Sequence, residues 1–73
     1  MSDFYKVLKK LRTDNDTMQK DLAELLNVTA RAFRNYENGT NEPTYDNLIK
    51  LADYFDVSLD YLVGRSDDPT IHK

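Results

Sequence analysis

The sequence predicts an all-α protein, and three observations predict it. Apolar residues recur at i, i+3, i+4 and i+7, strand-like alternation is missing, and both glycines stand where a helix would stop. Seventy-three residues are expected to form one domain. A core of that size supplies only about 3–5 kcal/mol of net stability, so it must be helical and efficiently packed. Cysteine is absent, which excludes disulfides and thiolate metal sites. The single histidine, His72, is the penultimate residue, and no zinc ligand set can be assembled around it.

Five short helices follow in order. Phe4, Val7, Leu8 and Leu11 line one face of the first, with Lys6, Lys9 and Lys10 opposite. Ser2 or Asp3 can cap its start, and the polar cluster Thr13–Asp14–Asn15–Asp16 ends it. A second helix is expected from about Met18 to Leu26, with Leu22, Ala23, Leu25 and Leu26 inward. Asn27 suits the left-handed position after that helix. Val28 is apolar, Thr29 is a good N-cap, and a third helix therefore starts only three residues later. It stops at Gly39. Pro43 and Thr44 precede a fourth helix, in which Leu48, Leu51, Ala52 and Phe55 repeat the inward spacing. Ser58 caps a short fifth helix holding Leu59, Leu62 and Val63, and Gly64 follows it. Residues 65–73, RSDDPTIHK, lack periodicity. The domain is drawn at residues 1–65 and a flexible tail at 66–73. No internal repeat is read.

The net charge of −3 at first opposes an anionic partner. Its distribution softens the objection. Residues 1–45 carry seven Lys/Arg and seven Asp/Glu, whereas residues 46–73 carry three and six. The third helix lies in the balanced half. A strongly basic patch is missing, which argues against tight non-specific nucleic-acid binding. No apolar run approaches the ~18 residues of a membrane span and no signal-peptide pattern opens the chain, so a soluble, cytoplasmic protein is expected. No metal cluster, Gly-rich phosphate loop or nucleophile–base pair is found, so neither an enzyme nor a cofactor is expected. Asp53, Asp56 and Asp60 read as solubilising carboxylates.

Two helices joined by so short a turn form a helix-turn-helix unit, QKDLAELLNVTARAFRNYEN, residues 19–38. Ala23 lets the helices cross closely, and Val28 fills the space under the turn. Phe33 and Tyr36, three apart, pin the third helix inward. Ala30, Arg31, Arg34, Asn35 and Asn38 are then left outside. Arg can donate two hydrogen bonds to guanine O6 and N7, Asn can pair with adenine N6 and N7, and Ala can touch a thymine methyl. Thr29 and Gln19 can reach phosphates from helix starts, and Asn38 and Thr40 from the other end. Tyr45 fits a core, surface or backbone-contact role equally.

The run QKDLAELLNVTARAFRNYENGTNEP resembles the Cro/C1-type helix-turn-helix family of phage and bacterial repressors. The resemblance continues through LIKLADYFDVSLDYLVGR and covers residues 4–65. It rests on Gln-x-x-Leu-Ala at 19–23, Val-Thr at 28–29 and Tyr-Glu-x-Gly at 36–39. It implies a five-helix, lambda-repressor-like domain whose third helix enters the major groove, usually as a homodimer on a near-palindrome. By that likeness Ala30, Arg31 and Asn35 take base-facing positions, with Arg34 close by. Gln19, Thr29, Asn38 and Thr40 take backbone-contact positions, and Arg12 pairs with Glu37 as a structural ion pair. The chain departs from the family at Met18, where Ser or Thr is usual, which leaves Thr17 as candidate cap. It departs again at Asn27, where glycine is usual.

Leu59, Tyr61, Leu62 and Val63 are expected in the core or in a dimer seam, the fifth helix being the obvious place for one. Two functional classes remain open. One is a sequence-specific regulator, a repressor, on double-stranded operator DNA. The other is a protein–protein module, such as an antitoxin or anti-repressor partner.

Overall fold

The computed structural model describes residues 4–64 and residue 70. Ser2, Asp3, His72 and nearly all of the expected tail lie outside the described residues. Five helices follow one another: α1 (Phe4–Asp14), α2 (Gln19–Leu26), α3 (Ala30–Asn38), α4 (Tyr45–Phe55) and α5 (Leu59–Leu62). No strand occurs among the described residues. α3 is clasped between α1 and α2, while α5 packs on α4 and reaches back to α1.

The helix starts follow the sequence. Thr29 Oγ1 accepts from Ala32 N–H at 3.0 Å, Thr44 Oγ1 from Asn47 N–H at 3.2 Å, and Ser58 Oγ from Tyr61 N–H at 3.0 Å. Each satisfies one backbone donor that a helix start leaves unpaired. α2 differs. Its N-cap position is Met18, which makes no side-chain cap bond. Thr17 does not replace it, contrary to expectation. Its hydroxyl lies 3.5 Å from the Asn15 carbonyl, and its own carbonyl accepts from Arg12 Nη1 at 3.2 Å. Thr17 therefore serves the end of α1 rather than the start of α2.

Two corners of the fold are built alike. LAELLNVT (22–29) joins α2 to α3, and LADYFDVS (51–58) joins α4 to α5. In each, a left-handed residue ends a helix: Asn27 at φ 57° and Asp56 at φ 55°. The next residue, Val28 or Val57, donates its N–H back to Ala23 or Ala52 at 2.9 and 3.0 Å. A Ser or Thr cap then opens the following helix. This is an internal repeat that hydrophobic spacing alone did not disclose. It also explains a correction. Leu25, expected inward, is 39 % exposed, and Tyr54, its counterpart, is 51 % exposed. Successive residues turn by about 100°, so with Leu22, Ala23 and Leu26 on the core arc, Leu25 falls on its flank.

The core comprises Phe4, Leu8, Leu22, Ala23, Leu26, Phe33, Tyr36, Leu51, Ala52, Val57 and Leu62. Phe33 and Tyr36 meet edge to face, with ring centroids 6.1 Å apart, a favoured aromatic geometry. Leu62 is wholly buried. It cannot belong to a dimer seam, because exposing it would open the core. Leu59, Tyr61 and Val63 stay half-buried.

Candidate nucleic-acid interface

The site is the outer face of α3 with the ends of its neighbours. Phe33, Tyr36 and Glu37 take the inward arc of α3. Arg31, Arg34 and Asn38 are exposed on the opposite arc, and Asn35 is half-buried there. Ala30 is exposed at the edge nearest the start of α2. The side chains of Arg31, Arg34 and Asn35 make no hydrogen bond or ion pair among the described residues. Two cations and an amide are thus left unspent on one helical face.

Thr29 is exposed, with its hydroxyl oxygen engaged as the cap of α3 and its O–H still free to donate. At the other end, Gly39 sits at φ 79°, and its N–H donates to the Tyr36 carbonyl at 3.4 Å. The Asn35 carbonyl accepts from Thr40 and Asn41 at 3.0 and 3.3 Å. This closes the helix and leaves the Asn38 and Thr40 side chains in solvent. Tyr45, at the start of α4, is 66 % exposed, which removes the core reading for it.

Behind this face lies a buried polar junction. Glu37 Oε2 accepts from Arg12 Nε at 2.6 Å, and Oε1 accepts from Arg12 Nη2 at 3.1 Å. Gln19 Nε2 donates to the same Oε1 at 2.8 Å. No buried side-chain nitrogen or oxygen among the described residues is left without a partner. The bidentate arginine fork suits a carboxylate, and with the amide it compensates the burial of that charge. Sequence spacing gave no sign of the Gln19 bond. It holds one amide hydrogen of Gln19 and leaves the other, with the carbonyl, for an outside partner. Elsewhere Lys10 pairs with Asp14 at 2.9 Å on the exposed side of α1, and that hydrogen bond raises the Lys10 pKa above its ordinary value.

The Helix-turn-helix family model matches residues 8–62. The chain belongs to the Cro/C1-type helix-turn-helix family. YqaE of Bacillus subtilis (strain 168), an HTH-type transcriptional regulator, is 41 % identical over 66 residues, 89 % of this chain and 57 % of that protein. A transcriptional regulator from Listeria innocua superposes with a TM-score of 0.85 at 38 % identity, over 88 % of this chain and 60 % of that one. The P22 c2 repressor, crystallised with a synthetic operator, shares the fold with a TM-score of 0.78 at 24 % identity, over 86 % of this chain and 96 % of its own. The chain spans about half the length of the curated helix-turn-helix relatives it matches, 57, 55 and 49 % of the first three.

Proposed function

We propose that the protein is a sequence-specific regulator of transcription that binds double-stranded DNA, with repression as the outcome. In this reading α3 lies in the major groove of a near-palindromic operator and a homodimer spans two half-sites about 34–36 Å apart. Arg31, Arg34, Asn35 and Ala30 face base edges, while Gln19, Thr29, Asn38 and Thr40 hold the backbone. One observation carries the proposal: α3 buries Phe33 and Tyr36 and turns two unpaired guanidinium groups and a free amide the other way. The P22 c2 repressor, a protein of the same fold crystallised with a synthetic operator, is consistent with DNA as the partner. Leu59, Tyr61 and Val63 are proposed for the dimer seam, without Leu62.

The net charge of −3 and the lack of a basic patch favour a second reading, in which α3 binds another protein. Selection of bound duplexes from a random pool, followed by a salt titration, separates the two. A two-fold symmetric consensus whose affinity falls steeply with salt is the expected result. Failure to enrich any sequence, with salt-insensitive binding to a protein partner, overturns it.

A further inference from the structure

Met18 breaks a rule that three other helix starts keep. Thr29, Thr44 and Ser58 cap the helices that follow them, whereas Met18 holds the same position before α2 with no side-chain acceptor to offer. A Ser or Thr there would make α2 more stable. Nor does Met18 fill the core, for it is 56 % exposed. A thioether that neither caps nor packs is not explained by folding.

Its surroundings supply an explanation. Met18 lines an open depression between the starts of α2 and α3, together with Arg12, Thr17, Gln19, Lys20 and Ala30. Ala30, like Arg31, is a base-facing residue in the first turn of α3 under the DNA-binding reading, on which this inference rests. Met18 and Ala30 give the depression two apolar surfaces. Lys20 adds an ammonium group with no partner among the described residues, placed to hold a neighbouring phosphate. The apolar feature of a base edge in the major groove is the C5-methyl of thymine. Methionine, unbranched and polarizable, adapts to such a group.

We infer that Met18 is a specificity-determining residue that forms, with Ala30, a two-sided apolar seat for one thymine methyl in each half-site. The seat reads thymine without a hydrogen bond. It also accounts for a missing cap at the one helix start that faces DNA beside Ala30.

The test uses the full chain and its selected operator, with each thymine replaced in turn by deoxyuridine, which lacks only the methyl. Burying one methyl is worth about fourfold in affinity. Wild type should lose about fourfold at one thymine per half-site. Met18→Ser should weaken binding to the thymine duplex and reduce that preference below about twofold, while Met18→Leu retains it. The melting temperature of Met18→Ser should not fall, because serine restores a cap, so weaker binding cannot be ascribed to unfolding. Two results overturn the inference while leaving DNA binding intact. Wild type could ignore every thymine replacement, or Met18→Ser could keep the full preference, at wild-type affinity or weakened equally on both duplexes as a sugar contact would. A wild type that binds no selected duplex overturns the DNA reading, and this inference with it.

Discussion

The Gln19 side-chain amide donates to Glu37 Oε1 at 2.8 Å, tying the first residue of α2 to the last turn of α3. Arg12 from α1 grips the same carboxylate through two nitrogens. One buried group thus sets the mutual position of three helices. Glu37→Ala leaves the Arg12 charge poorly compensated and should cost about 3–5 kcal/mol. That rivals the whole net stability of a domain this small, so the variant should be largely unfolded in a thermal melt. An unchanged melt would disprove the structural role of the pair.

Gln19→Ala removes one of three donors to Glu37 and leaves the arginine fork. The stability cost should be about 1.5 kcal/mol, the low end for a hydrogen bond to a charge, because the bond is only partly buried. If its free N–H meets a phosphate, affinity should fall alike on all sequences, while the salt slope stays unchanged because the amide carries no charge. A variant that binds weakly only on the selected operator would move Gln19 to the base-reading set.

Arg31→Ala and Asn35→Ala should each weaken operator binding by about 1–3 kcal/mol and relax the sequence preference at one position. Neither side chain has a partner within the described residues, so melts should shift by less than about 0.5 kcal/mol. Normal binding by both variants would remove these residues from the interface.

Gly39→Ala meets two obstacles. The backbone stands at φ 79°, and an added Cβ would lie 3.3 Å from Tyr5 Cδ1. The left-handed conformation alone should cost about 1–2 kcal/mol in denaturant unfolding. Adding Tyr5→Ala to the variant relieves the contact and leaves the backbone cost, so a cycle of the two changes separates them. A neutral Gly39→Ala would refute both.

The sequence made the anchors of the fold legible because they are local. Phe33 and Tyr36 stand three apart, Thr29 precedes its helix, and Gly39 follows it, so periodicity and caps placed α3 without tertiary knowledge. Leu25 was misplaced because a leucine on the flank of an eight-residue helix satisfies the same spacing as one at its centre. Leu62 lay open between core and seam, since only packing against the rest of the domain decides which. Thr17 looked like a cap by composition, yet Arg12 claims its carbonyl. The bond between Gln19 and Glu37 joins residues 18 apart and carries no sequence signal of its own. The outward placement of Arg31 and Arg34 was legible, because Phe33 and Tyr36 take the inward arc of the same helix.

The duplicated corner has a consequence for how this small protein can change. Because LAELLNVT and LADYFDVS make the same bend, the bend carries no instruction about what the next helix does. After one bend comes a nine-residue helix with two arginines, and after the other a four-residue strut. In the proposed reading, recognition therefore resides in an interchangeable surface mounted on a standard joint. New preferences could be grafted there residue by residue while the frame beneath keeps its shape.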